Sequence, residues 1–129
     1  MNTRTASILI GIVFLAVGIL GYFPNSIVGD TEDAIFHADS THNMVHIISG
    51  ALFLLIAMAA PAKAGGFLKL FGLVYLLLGV IGLATIGDEG MTKLLGFLHV
   101  NGNDNYLHIG LGIVIFLAGF LPGNRARRI

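Results

Sequence analysis

Apolar residues along the chain fall into four long segments, which polar residues, prolines and glycines separate. The segments cover about 7–23, 42–60, 67–86 and 104–121. At a rise of about 1.5 Å per residue, a helix of this length crosses a hydrocarbon core of about 30 Å. Because backbone polar groups cannot stay unpaired in lipid, each segment is predicted to be a transmembrane helix.

Two longer connections, 24–41 and 87–103, lie on one side of the predicted helices and are interpreted as outer loops. Both contain apolar residues. EDAIFHA at 32–38 and KLLGFLHV at 93–100 are therefore each predicted to form a short helix in the membrane interface. The first segment begins like a signal peptide, but no cleavage site of small residues follows it, so we expect a retained helix.

The second half of the chain repeats the first. GIVFLAVGILG at 11–21 corresponds to GLVYLLLGVIG at 72–82. Similarly, HADSTHNMVHIISG at 37–50 corresponds to HVNGNDNYLHIGLG at 99–112. A repeated unit of this kind predicts two similar structural halves, and the residues kept in both halves are candidates for a shared role.

The predicted fold is all-α, an antiparallel four-helix bundle that forms a single transmembrane domain over 1–129. It consists of two repeats, at about 7–60 and 67–121. Because each repeat contains two spans, an even number, both repeats have the same orientation and are related by an axis along the membrane normal.

The composition agrees with a membrane protein. Hydrophobic residues make up 56% of the chain and charged residues only 11%, whereas a soluble domain carries about a quarter charged residues. The chain therefore lacks the polar surface to face water on all sides. It contains no cysteine, which excludes disulfides and thiolate metal sites.

The charges predict the orientation of the chain. The acidic residues lie in or beside the two outer loops, and nearly all lysines and arginines lie at the termini or beside the central turn. The positive-inside rule then places both termini in the cytoplasm of a bacterium, with the chain a multi-pass protein of the inner membrane. The lipid bilayer is the expected partner, followed by other membrane subunits or a second copy. The sequence has no basic patch with interleaved aromatic residues, so nothing in it indicates nucleic-acid binding.

Small and polar residues recur at helical spacing in both halves. In a bilayer, small residues let helix backbones approach closely, and amide side chains form hydrogen bonds between helices. The residues interpreted in this way as structural are Gly11, Gly18, Asn43, Gly72, Gly79 and Asn105.

Histidines provide the candidate chemistry. His42 and His46 lie one helical turn apart, and Asp104 and His108 have the same spacing in the second half. Paired helical histidines bind one ion in zinc enzymes, so the four residues form a plausible site for Zn, Mn, Fe or Cu. His46 and His108 alone are instead suited to be the axial ligands of a b-type haem.

Two other interpretations of the histidines stay open. In the first, they lie just below helix N-caps at Thr41 and Asn103, or at neighbouring residues, and fasten the outer loops through hydrogen bonds. In the second, they sense pH. No activated nucleophile or phosphate loop is recognisable, so an enzymatic activity is not the favoured expectation.

The paired patterns HNMVHIISG and NDNYLHIGLG, with FGLVYLLLGVIGL before the second copy, resemble an uncharacterised bacterial family of four-span membrane proteins, a domain of unknown function. The resemblance covers nearly the whole chain. It implies the fold and the positions of Asn43, His46, Asn105 and His108, but no activity, cofactor or partner.

The first expectation for function is a small structural or accessory membrane protein, a subunit or stabiliser of a membrane assembly. The alternative is a haem- or metal-binding membrane protein with a pseudo-symmetric site at His46 and His108 near the outer face. A small transporter or channel is the third expectation. It ranks last because the spans carry almost no ionisable residues at mid-depth, where an ion or proton pathway would need them.

Overall fold

A computed structural model describes residues 1–29, 34–86, 91–94 and 98–123. The described chain is mostly helical, and a single 3-10 turn at Pro61–Lys63 connects its second and third helices. The helices are α1 (Thr3–Leu20), α2 (Ser40–Ala59), α3 (Ala64–Ile86) and α4 (Gly102–Ala118).

Short strands accompany the helices. Strand β1 (Val28–Gly29) pairs in parallel with β2 (Phe36–His37), and β3 (Met91–Leu94) pairs antiparallel with β4 (Leu98–Asn101). The interfacial helices predicted within 32–38 and 93–100 are therefore wrong wherever the structure describes these residues. An isolated helix of two turns is marginal in stability, whereas strand pairing satisfies the backbone groups of both segments at once.

Polar side chains define where three of the helices begin. Asn2 caps α1, Asp39 caps α2, and Asn101 caps α4, each accepting a hydrogen bond from a backbone N–H of the first turn. The caps of α2 and α4 thus lie two residues before the predicted positions, Thr41 and Asn103. Such a cap satisfies one of the N–H groups that a helix start leaves without an intrahelical partner.

Helix α1 packs closely against α2, and α3 packs closely against α4. A Cβ atom added to Gly11 would lie 2.9 Å from the carbonyl oxygen of Gly50. In the other pair, a Cβ added to Gly72 would lie 2.7 Å from the carbonyl oxygen of Gly112. These distances are shorter than real Cβ contacts, so each pair needs glycine where the backbones approach most closely.

Aromatic rings join the two helix pairs. Phe14 of α1 contacts Phe53 of α2, with 5.6 Å between ring centroids, and contacts Tyr75 of α3 at 5.2 Å. Phe53 and Phe71 are 4.9 Å apart, and Phe71 stacks on Tyr75. Such ring contacts are about 0.5–1.5 kcal/mol more favourable than burial alone, and this cluster forms the centre of the molecule.

At the ends of the helices away from the strands, hydrogen bonds hold the helix termini together. The Arg4 side chain donates to the carbonyl oxygen of Ala57 near the end of α2, at 2.9 Å. The backbone N–H of Thr3 donates to the carbonyl oxygen of Pro122, also at 2.9 Å. A cation at a helix C-terminus is favourable, because the exposed carbonyl groups there carry partial negative charge.

Three stretches are long and apolar enough to cross a membrane: Thr3–Leu20, Ser40–Ala59 and Pro61–Thr85. Helix α4, with 17 residues, is the shortest of the α-helices described. The outer faces of the helices carry large exposed apolar side chains, such as Leu55, Leu70 and Val114. Lipid solvates such faces, whereas water does not, and the chain is therefore a membrane protein.

The first prediction tests the glycine contacts. Gly72→Ala should lower the free energy of unfolding by about 1–3 kcal/mol, because the added methyl group overlaps the α4 backbone. The measurement is unfolding of the detergent-solubilised protein, followed by circular dichroism. Gly110→Ala is the matched control, since a Cβ there meets nothing within 4 Å. Equal stability of the two variants would contradict the close approach of α3 and α4.

Candidate metal site between α2 and α4

Three imidazoles meet in the interior, between the helices. His42 and His46 come from α2, and His108 comes from α4. Their exposed fractions are only 1, 6 and 2%, respectively. One ring nitrogen from each lies within 4.8 Å of the other two. The structure thus brings together three of the four ligands that the sequence suggests.

Helix geometry explains the arrangement. His42 and His46 are one turn apart, so both lie on the same face of α2, with 4.5 Å between their ring centroids. The His108 ring lies 5.6 Å from His42 and 6.4 Å from His46. Phe14 and Tyr75 contact this cluster, at 5.7 Å from His46 and 5.4 Å from His108. The imidazole group is therefore in direct contact with the central aromatic cluster.

Two of the imidazoles have a buried nitrogen atom whose hydrogen-bonding capacity is not used. Within the part of the chain that the structure describes, Nδ1 of His46 and Nδ1 of His108 have no hydrogen-bond partner. A buried polar atom without a partner costs about 1–3 kcal/mol. Such atoms are rare in native proteins, and a bound ion or water is a common explanation.

Asp104 does not belong to the imidazole group, although the sequence suggested it as the fourth ligand. Among the described residues the group consists of the three histidines alone. Oδ2 of Asp104 accepts hydrogen bonds from the backbone N–H groups of Asn101, at 2.8 Å, and His37, at 2.9 Å. The first bond completes a capping box at the start of α4, and the second holds β2 against α4.

Further hydrogen bonds tie Ile35, which precedes β2, to the second half of the chain. The side-chain amides of Asn101 and Asn103 both donate to the carbonyl oxygen of Ile35, at 3.2 and 2.9 Å. Together with the bond between His37 and Asp104, they hold Ile35 and His37 to the start of α4.

The two recurring asparagines pack against glycines. Asn43 faces Gly21 and Asn105 faces Gly82, so closely that a Cβ added to either glycine would overlap the amide. Oδ1 of Asn43 and both amide atoms of Asn105 have no hydrogen-bond partner among the described residues. These three atoms therefore form none of the interhelical hydrogen bonds expected of the amides within the described part of the chain. Gly21 and Gly82 occupy matching positions in the two halves of the sequence, and this recurrence could have predicted the packing.

The glycines that the sequence singled out lie at the helix contacts. Added Cβ atoms on Gly18 and Gly79 would lie 2.8 and 2.6 Å from the carbonyl oxygens of Asn43 and Asn105. Each asparagine is therefore held at both its backbone and its side chain by the neighbouring helix. This contact sets the rotation of α2 and α4 near the histidines.

Two cavities border His46. One has a volume of about 180 Å³ and is also lined by Asp104 and Leu107. The other, of about 100 Å³, is lined by Phe14 and Leu107 among others. Ligand pockets commonly have volumes of about 300–1,000 Å³, so neither cavity alone has room for a macrocyclic cofactor.

Comparison with known protein families gives a match over most of the chain. The family model described as a domain of unknown function, DUF4383, matches residues 4–121. This match confirms the resemblance to an uncharacterised family. No curated protein matches the chain, and no solved structure does.

The second prediction tests the role of Asp104. Asp104→Ala should lower the free energy of unfolding by about 2 kcal/mol, because two backbone N–H groups lose their acceptor. The measurement is again detergent unfolding followed by circular dichroism. Asp104→Asn keeps an acceptor oxygen and should lose less stability. An Asp104→Ala variant as stable as the unmodified chain would show that these bonds contribute nothing.

Proposed function

The chain belongs to the DUF4383 family, and we propose that it is a four-span membrane protein that holds one divalent transition-metal ion. The ligands are His42, His46 and His108. One observation carries this proposal: three buried imidazoles from two helices each place a ring nitrogen within 4.8 Å of the other two. Imidazoles that only pack as interior side chains have no need of this convergence.

The donor set restricts the identity of the ion. Neutral imidazole suits Zn²⁺, Cu²⁺, Fe²⁺ and Ni²⁺, whereas Ca²⁺ and Mg²⁺ prefer oxygen ligands. Three protein ligands leave one position of a tetrahedral ion open, as in zinc enzymes with three histidines. The site is therefore suited to an ion that also binds an exchangeable small ligand.

The unpaired nitrogen atoms support the same assignment. An ion bound to one nitrogen of each ring lowers the cost of burying the imidazoles, because a coordinate bond replaces the hydration that they lose on folding. The second nitrogen of a metal-bound imidazole normally donates to an oxygen acceptor. A metal site thus gives a reason for three polar rings in an apolar interior.

A haem between His46 and His108 is less well supported than an ion. Their ring centroids are 6.4 Å apart, and His42 lies within 5.6 Å of His108. A porphyrin would have to enter between rings that are already in contact. The cavities beside His46, of about 100 and 180 Å³, add little room for it.

The proposed membrane placement has both termini on the cytoplasmic side of a bacterial inner membrane. Arg4, Lys63 and Lys69 lie at the end of the bundle opposite the strands, as the positive-inside rule requires. Lys69 lies 4.2 Å from the centroid of the Phe120 ring, an arrangement suited to the membrane interface. The histidines then lie near the outer end. None of the described contacts is specific to the accessory or transporter roles that the sequence leaves open.

The third prediction tests metal binding. Protein stripped of metal and titrated with Co²⁺ in mild detergent should take up one ion per chain and develop visible absorption bands. At a free ion concentration of about 100 times Kd, the ion should stabilise the fold by about 2.7 kcal/mol. The combined variant His46→Ala/His108→Ala should lose the bands and the stabilisation.

His37→Ala is the matched control for this titration, since His37 is also buried but does not belong to the imidazole group. It should keep the Co²⁺ bands. A titration that gives neither bands nor a thermal shift in the unmodified protein would overturn the proposal. The proposal would also be overturned if the His46→Ala/His108→Ala variant bound Co²⁺ as well as the His37→Ala variant.

A further inference from the structure

Basic side chains gather at the ends of the helices away from the strands. Arg4 lies in the first turn of α1, Lys63 ends the 3-10 turn that follows α2, and Lys69 lies in the second turn of α3. These three residues are named here the basic end. In a membrane protein they lie where apolar helix faces meet the polar head groups of lipids.

No carboxylate among the described residues neutralises the basic end. All seven acidic residues of the sequence fall within 30–39, at 88 and 89, or at 104. The two that the structure describes, Asp39 and Asp104, lie at the opposite ends of the helices, where α2 and α4 begin. The cations therefore carry a net positive charge that attracts anions from outside the described chain.

Arg4 is half-buried, and a hydrogen bond fixes its orientation. Its Nε donates to the carbonyl oxygen of Ala57, at 2.9 Å. Neither Nη atom of Arg4 forms a hydrogen bond with the described residues. The planar guanidinium group therefore keeps a pair of parallel N–H donors, the geometry in which arginine binds a phosphate group through two hydrogen bonds.

Lys63 provides a second cation on a neighbouring segment. The 3-10 turn Pro61–Lys63 contacts α1, and the backbone N–H of Lys63 donates to the carbonyl oxygen of Ala60 at the end of α2. The Lys63 side chain is exposed. The positive charges of Arg4 and Lys63 thus attract an anion at the same edge of the protein, where α1 meets the end of α2.

Apolar side chains continue along both helices from this edge. Ile8 and Ile12 follow Arg4 on α1 at intervals of four residues, and Ile12 is 53% exposed. On α2, Leu55 and Met58 are 58 and 73% exposed. Hydrocarbon solvates such faces. A ligand with a phosphate group at one end and acyl chains at the other matches both the charge and the apolar surface.

We propose that Arg4 and Lys63 bind the phosphate group of one anionic phospholipid, whose acyl chains lie along the lipid-facing sides of α1 and α2. A zwitterionic phospholipid fits less well, because its ammonium group brings a further positive charge close to two cations. The site requires neither the metal ion nor a particular orientation of the chain in the membrane. Its test is therefore independent of the proposed function.

The test is a lipid titration of the protein in mild detergent, measured by native mass spectrometry. The probes are dioleoyl phosphatidylglycerol, which is anionic, and dioleoyl phosphatidylcholine, which is zwitterionic and has the same acyl chains. The unmodified chain should bind one phosphatidylglycerol about tenfold or more tightly than phosphatidylcholine. Equal affinity for the two lipids would overturn the proposal.

Charge-matched variants separate this site from a general attraction to the basic end. Arg4→Gln and Lys69→Gln each remove one positive charge. Lys69, however, belongs to the other helix pair, where its Nζ lies 4.2 Å from the centroid of the Phe120 ring. Arg4→Gln should abolish most of the preference for phosphatidylglycerol, and Lys69→Gln should keep it. Equal losses in the two variants would overturn the proposal.

Lys63→Gln keeps the proposal testable if Arg4→Gln impairs folding. Circular dichroism checks the fold of each variant, because Arg4→Gln also removes the hydrogen bond to Ala57. Lys63→Gln changes an exposed side chain and should weaken phosphatidylglycerol binding about fivefold. Unchanged binding in Lys63→Gln would contradict the proposed site.

A soluble competitor tests whether the ligand is a lipid. Glycerol 3-phosphate carries the phosphate group without acyl chains, so at the same concentration as phosphatidylglycerol it should not displace the lipid. Displacement at equal concentration would show that the phosphate alone is recognised, and it would overturn the assignment of a phospholipid.

Discussion

Close approach of helix backbones at glycine is the constraint on which the rest of this structure depends. Gly11 meets Gly50 and Gly72 meets Gly112 at distances that leave no room for a Cβ atom. In a bilayer, lipid solvates apolar side chains about as well as protein does, so the hydrophobic effect does not drive helices together. Van der Waals contact between closely packed helix surfaces stabilises their association instead. The same contacts hold α2 and α4 in a fixed rotation. The three histidines therefore face one another across the interior instead of facing lipid.

Much of the fold was predictable from the sequence, because hydropathy and helix length depend on local composition. The apolar segments became α1 to α4, and the histidine spacing on α2 correctly indicated that His42 and His46 share a face. The strands were missed. Their stability comes from pairing between segments, and the tendency of each segment alone to form a short helix was a poor guide.

The place of Asp104 outside the imidazole group has a specific cause. Asp104 and His108 have the same spacing as His42 and His46, so the repeat suggested equivalent roles. Asp104, however, is the third residue of α4, where a carboxylate accepts N–H groups at the helix start. The capping pattern was visible as Asn101 followed three residues later by Asp104. The contact of the His108 ring with α2 depends on the packing of the two halves, which no local pattern reveals.

The proposed ion would account for the polar region in the interior of an apolar protein. It gives a reason for the grouping of three imidazoles and for the unpaired nitrogen atoms of His46 and His108. Polar groups inside a membrane are costly and usually functional. Nearby, Asp104 and two asparagines form hydrogen bonds with the backbone of His37 and Ile35.

The most direct test of the metal site is X-ray absorption spectroscopy of the protein purified with its native metal. The proposed site predicts a first shell with three nitrogen ligands, at about 2.0–2.1 Å if the ion is Zn²⁺, and outer-shell scattering from three imidazole rings. This pattern should be absent in the combined His46→Ala/His108→Ala variant. A sample without stoichiometric metal, or a first shell without imidazole scattering, would contradict the account.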